Sequence, residues 1–191
     1  MSLLSKLFGA RGSETRTTTV GKPLRISKPR IGFLNLQGEP GASLAMEDRK
    51  VLAPPFRESF LTDGAVPRCE VIFLYCNVGA DGRVAGSAAG IRDLTEAAGA
   101  YVAVVASENP PNNYMNALGP RNSWGANTVL VVDRKTNSFA EFFHSLFEAM
   151  KSGETMLMAW VRLAPQIPGI DHANAPGALM YAEAGHITFD G

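Results

Sequence analysis

Residues 69–106, CEVIFLYCNVGADGRVAGSAAGIRDLTEAAGAYVAVVA, constrain the fold more than any other stretch of this chain. Two short apolar runs, 71–76 and 101–106, are rich in β-formers and show no polar alternation, the pattern of strands covered on both faces. Between them a glycine-rich turn (Gly79, Gly82, Gly86) leads into residues 87–98, where Ile91, Leu94 and Ala98 share one helical stripe and Arg92, Asp93 and Glu96 lie off it. This spacing predicts an amphipathic helix with Ser87 at its N-cap and Gly99 closing its C-terminus. A strand, a crossover helix and a second strand form a right-handed βαβ unit of a parallel sheet, because antiparallel neighbours need only a tight turn. Ligands of such sheets bind beyond the carboxyl ends of the strands, so chemistry is expected at 76–86 and from Ser107 onward.

Around this unit the sequence supplies further elements. The run IGFLNL (31–36), ended by Gln37-Gly38, reads as a strand. Pro40, Pro54, Pro55 and Pro67 predict that residues 39–69 hold no long helix and form a small hairpin or irregular excursion. Residues 107–127, dense in Asn, Pro and Gly, read as a long loop after a strand end, and loops of that length usually serve a purpose. TVLVVD (128–133) is another buried strand. Residues 138–151 form the best helix, with Phe139, Phe142, Phe143, Leu146, Phe147 and Met150 on one stripe and Ser138 and Glu141 in capping-box spacing. TMLMAWVRLA (155–164) fits a buried helix or an inner strand, and helix is preferred. Proline and glycine mark 165–177 as loop, and ALMYAE with HITF predicts a terminal strand pair or hairpin. The fold class is therefore α/β, a three-layer sandwich with a mainly parallel central sheet, spanning residues 30–191 as a single domain.

At 191 residues, such a domain buries roughly 70% of the surface of its unfolded chain without staples. Cys69 and Cys76 fall in one strand region, too far apart along it to pair, and no zinc-like spacing or signal peptide is visible. A cytoplasmic, reducing setting is expected, and no apolar run approaches the ~20 residues of a membrane span. The net charge of zero conceals an asymmetry. Residues 1–30 hold seven basic groups (Lys6, Arg11, Arg16, Lys22, Arg25, Lys28, Arg30) against Glu14, and the remainder holds 11 basic and 17 acidic groups. Residues 1–29 thus read as a basic arm or linker suited to an acidic surface, either its own domain, a neighbouring subunit or an anionic partner. A protein partner or a homo-oligomer is expected, and nucleic acid is not.

Three constellations could carry chemistry. Cys76 stands at a strand's carboxyl end ahead of NVGADG, a position that suits a nucleophile as well as a buried structural thiol. Its base would have to come from His144, on the polar side of the best helix, or from His172 or His186. The turn GADGRVAGS, with Gly79, Asp81, Gly82 and Ser87, precedes a helix N-terminus and could cradle a phosphate-bearing small molecule, with 107–124 as a lid and Ser107 and Glu108 at its base. It lacks the endings of a P-loop or a dinucleotide fingerprint. Asp81, Glu108 and Asp133 follow strands without metal-ligand spacing, so neither metal nor cofactor is expected.

Taken together, IGFLNLQG (31–38), VIFLYCNVG (71–79), GIRDLTEAAGAYVAVVAS (90–107) and SFAEFFHSLFEAMKSG (138–153) resemble the CHAT family, peptidase-like domains of the caspase fold. The resemblance implies a caspase-like architecture with Cys76 at the nucleophile's place. The family's first strand delivers a catalytic histidine just before its glycine, and here that place belongs to Gln37. An amide cannot take a thiol's proton near neutral pH. What the resemblance implies is therefore a pseudo-peptidase, a non-catalytic module that works by protein interaction or self-assembly. Cysteine hydrolysis by Cys76 and phosphate binding at 79–87 stand as the alternatives.

Overall fold

The computed structural model describes residues 23–118, 125–134, 138–164 and 176–190. In chain order its elements are β1 (Leu24–Ser27), β2 (Arg30–Asn35), α1 (Glu39–Leu52), β3 (Glu58–Asp63), β4 (Val71–Tyr75), α2 (Ile91–Ala98), β5 (Val102–Val105), α3 (Pro111–Ala117), β6 (Asn127–Asp133), α4 (Ser138–Lys151), α5 (Met156–Leu163), β7 (Gly177–Ala182) and β8 (Ile187–Asp190). Six strands make one sheet in the order β3-β2-β4-β5-β6-β7. All its neighbours run parallel except β6 and β7. The expected βαβ unit is β4-α2-β5, with Val71 opposite Val102 and Leu74 opposite Val105.

The strands of the middle are buried end to end because both sheet faces are covered. On one face, Phe33, Phe73, Val104 and Val129 pack with α1, α4 and α5 in a cluster that includes all six residues of the predicted α4 stripe. Phe143 sits among the rings of Phe73, Phe139, Phe142 and Phe147 at centroid distances of 4.9–6.1 Å. On the other face, Ile72, Leu74, Val105 and Leu130 pack with Ile91, Leu94 and Ala98 of α2 and Tyr114 of α3. The result is an α/β/α layering.

Several elements differ from expectation. Residues 39–52 are a helix of 14 residues, not a hairpin or excursion: Pro40 occupies the first turn, where its missing N–H costs nothing, and Pro54 and Pro55 lie beyond the C-terminus. Residues 58–63 form an edge strand parallel to β2. The long segment after Ser107 contains a two-turn helix, α3, that starts at Pro111. The last two strands are not a hairpin. β7 joins the main sheet antiparallel to β6, and β8 pairs in parallel with β1, so among the described residues regular structure starts at Leu24, ahead of the expected boundary at Arg30, while residues 1–22 of the expected basic arm lie outside the described residues. The N-cap of α2 is Gly90, its N–H held by the Asp93 carboxylate at 2.7 Å, and Ser87 lies outside the helix. Gly99 does close that helix, at φ 69°.

Candidate functional site

The crossover helix after β2 covers one face of the sheet and the one after β4 covers the other, so the chain diverges at the β2/β4 boundary. In open α/β sheets that boundary opens a crevice outside the carboxyl ends of the strands. Here the crevice is a cleft of about 660 Å³ on the α1/α4 face. Gln37, Ser107 and Glu108 line it from the strand ends, Leu44, Glu47 and Val51 from α1, and Ala140 and Glu141 from α4.

Three strand ends are tied together across its rim. Gln37 follows β2, and its Nε2 donates to Oδ1 of Asn77, which follows β4. Ser107 follows β5, and its hydroxyl donates to Gln37 Oε1 at 2.9 Å. Asn35 shapes the turn that delivers Gln37: its Oδ1 accepts the Gln37 N–H at 3.0 Å, while its Nδ2 donates to Asp63 at 2.8 Å. Gln37 therefore works as a neutral bridge between strand ends.

The floor carries charge. Asp48 of α1 is buried and accepts a 2.6 Å hydrogen bond from the Tyr75 hydroxyl through one oxygen and a guanidinium N–H of Arg134 through the other. Arg134, whose side chain is only 12% exposed, also donates to the carbonyl of Ala106 at 3.3 Å and lies 4.0 Å over the Phe139 ring. Its backbone N–H donates to Glu108 at 2.7 Å. Burial, and then the neighbouring Asp48 carboxylate, push the Tyr75 phenol well above its ordinary range, so it stays a donor. With Arg134 bound to Asp48, the accessible charges in the cleft are the carboxylates of Glu47, Glu108 and Glu141. None of Asp48, Tyr75, Arg134, Glu47 and Glu141 was singled out as a site residue by sequence reasoning. Arg134 alone carried a usable signal, as a cation directly after a strand.

Cys76 and Gln37 end neighbouring strands, joined by the Leu36 N–H to the Tyr75 carbonyl at 2.8 Å. Their side chains nevertheless part. Gln37 lines the cleft on the α1/α4 face, whereas Cys76 is fully buried in the opposite cluster with Val78, Ile91 and Tyr114. Burial pushes the Cys76 thiol up to about 12. Of the histidines, His144 belongs to α4, across the sheet, where its Nδ1 is buried without a hydrogen-bond partner. It is half-buried, where a solvated position was expected. His186 follows Gly185, whose carbonyl accepts from Asn127 at the start of β6, so it lies near the opposite edge of the sheet from Cys76. His172 lies outside the described residues. Among the described residues, no imidazole reaches Cys76.

The 79–87 turn is occupied by its own chain. Asn113 donates to the Val78 carbonyl at 2.6 Å, Asn116 to the Ala80 carbonyl at 2.8 Å, and Asn109 accepts from the Val78 N–H at 2.7 Å. Gly82 has φ 78°, and an added Cβ would meet the backbone of Asn116 and Ala117 at 2.5 Å, so only glycine fits beneath α3. Asp81 accepts the Arg83 N–H, and Asp93 already places a carboxylate at the α2 N-terminus, the place that the alternative reading gave to a phosphate. The asparagines that make 107–118 look like a lid are thus staples for the neighbouring turn. Residues 119–124 of that expected lid lie outside the described residues.

No metal-binding group of His, Cys, Asp and Glu forms among the described residues, and none of their helices is long and apolar enough to cross a membrane. No family model, no curated protein and no solved structure matches this chain.

Proposed function

We propose that this chain is a non-catalytic, caspase-like α/β module that binds a protein partner, and that the carboxyl-edge cleft receives a basic segment of that partner. The observation that carries the reading is the separation of charge from thiol. The solvent-facing acids of the cleft, Glu47, Glu108 and Glu141, lie on one face, while Cys76 is sealed on the other. A carboxylate-lined cleft concentrates cations and repels anionic ligands. Hydrolysis by Cys76 draws no support from a thiol at about 12 with no imidazole among the described residues beside it. Phosphate binding at Gly79–Ser87 draws none from a turn that already holds Asp81 and leads to a helix N-terminus capped by Asp93.

The test is calorimetric titration of the full chain with an arginine-rich peptide and with a glutamate-rich peptide of equal length. Binding of the basic peptide alone is expected, falling as salt screens the acids. Glu47→Gln with Glu141→Gln is expected to weaken it about tenfold, since each lost rim pair is worth up to about 1 kcal/mol. Equal affinity for both peptides, or indifference to the double substitution, defeats the reading.

A further inference from the structure

The two ends of the main sheet carry opposite charge. Because β2 to β6 run parallel, the loops that enter them lie at the amino edge, across the molecule from the cleft. Lys28 precedes β2, Arg57 precedes β3 and Arg68 precedes β4. α1 and α4 both start at the carboxyl edge and run back, so their last turns bring Lys50 and Lys151 to the amino edge. Arg25 of β1 lines a pocket there with Lys151 and Ser152. Apart from Glu96 and Asp190, the acids of this edge have close partners: Glu58 in Arg57, Glu70 in Arg30, Glu148 in Lys151, Glu154 in Arg162 and Glu183 in Arg92. Arg25, Lys28, Lys50 and Arg68 are exposed and form no ion pair among the described residues. The carboxyl edge has the reverse balance, with Glu47, Glu108 and Glu141 in its cleft.

The chain ahead of the described residues joins at the same edge, since Pro23 lines the pocket that holds Arg25 and Lys151. Residues 1–22 add Lys6, Arg11, Arg16 and Lys22 against Glu14, and Leu3, Leu4, Leu7 and Phe8 flank Lys6. Leu24, beside Arg25, is 38% exposed. Cations alone suit any polyanion. Apolar side chains set among them gain little along the phosphates of a nucleic acid, whereas they are buried at the boundary between lipid headgroups and acyl chains.

We propose that the amino edge, together with the residues that lead into it, seats on a membrane surface rich in anionic lipid. A few apolar side chains hold a protein on a bilayer only weakly, and a second, basic signal makes the attachment stable. Residues 1–22 supply the first signal, and Lys28, Lys50 and Arg68 on the folded edge supply the second. The same field repels the acidic carboxyl edge, so the cleft points away from the membrane and stays open to a partner. The inference goes beyond the cleft reading, because no residue of the amino edge lines the cleft.

The test is co-sedimentation of the full chain with vesicles of phosphatidylcholine alone and of phosphatidylcholine with an equal part of phosphatidylglycerol. Binding to the anionic vesicles alone is expected, weakening as salt rises. Lys28→Glu with Arg68→Glu is expected to lower that affinity about thirtyfold or more, since each cation near an anionic surface is worth about fivefold. Leu4→Gln with Phe8→Gln is expected to lower it about tenfold. Circular dichroism confirms that both variants fold. Acetylation of the wild-type chain provides a reading that needs no variant, with Lys28 and Lys50 expected to react more slowly on anionic vesicles than in solution. Equal binding to both vesicles, indifference to the charge reversal, unchanged reactivity of both lysines, or binding to duplex DNA as tight as to anionic vesicles overturns the proposal. Basic-peptide binding by the Lys28→Glu, Arg68→Glu variant, and vesicle binding by the Glu47→Gln, Glu141→Gln variant, are both expected to persist, which separates failure of this proposal from failure of the cleft reading.

Discussion

Cys76 illustrates how far a strand-end position falls short of defining a reactive residue. The side chain of the residue after Tyr75 alternates onto the α2 face, where apolar packing disfavours the thiolate, and the same holds for Cys69, also pushed up to about 12. With Cys69→Ser as background, iodoacetamide is expected to label Cys76 in the folded protein far more slowly than in urea at pH 8. Fast labelling with an apparent pKa below about 7 would return Cys76 to the role of nucleophile. The two thiols also set a limit on alkaline stability. Both are protonated in folded and unfolded chains below the unfolded value of about 8.5, and their contribution is intact there. Above that value the unfolded chain releases protons that the folded chain keeps until about 12, so fewer protons are bound on unfolding and stability falls as pH rises. Each thiol adds a slope of up to about 1.4 kcal/mol per pH unit within that window. Denaturation midpoints measured from pH 7 to 10.5 are expected to drop above pH 8.5, and less so in Cys69→Ser; a flat profile contradicts the buried placement.

Single elements were legible wherever periodicity and punctuation agreed. In α4, the phenylalanine stripe read from the sequence is the stripe that packs, and Phe143→Ala is expected to cost about 3–5 kcal/mol because the cavity would open among rings already in mutual contact. A shift below about 1 kcal/mol in a urea curve would contradict that packing. The βαβ unit was legible for the same reason, since Val71, Ile91 and Val102 each sit in an unbroken local pattern. α1 was not, because Pro40 and the Pro54-Pro55 pair carry the signature of helix breakers, whereas in the fold they mark its boundaries. With α1 hidden, Asp48, Glu47 and Leu44 could not be assigned to the cleft, and Gln37, Ser107 and Glu108 were placed at the sheet's carboxyl edge without the helix that faces them. The runs at 177–182 and 187–190 were recognisable as strands, yet their partners were not. Choosing β6 for one and β1 for the other depends on contacts with segments far off in sequence, and no local pattern encodes that choice.

At the scale of the whole molecule, the Asp48–Tyr75–Arg134 cluster ties α1 to the centre of the sheet and to the end of β6. These are the three pieces that bound the cleft, so its shape depends on a buried ion pair. Such a pair is costly to break on one side and cheap to replace as a unit, because removing one partner strands the other charge away from water. Asp48→Asn leaves Arg134 without its counter-charge and is expected to cost about 3–5 kcal/mol. Arg134→Met alone strands Asp48 in turn, and its cost is expected to be similar. In the double variant neither charge is left behind, and Met can keep some of the contact with Phe139, so the double cost is expected to fall well short of the sum. Tyr75→Phe, which deletes one hydrogen bond to Asp48 and leaves the ion pair standing, is expected to cost about 1–2 kcal/mol. Urea denaturation of the four variants closes the cycle. Additive costs for Asp48→Asn and Arg134→Met would mean the two residues act separately, and the cleft would then owe its shape to the apolar packing of α1 and α4 alone.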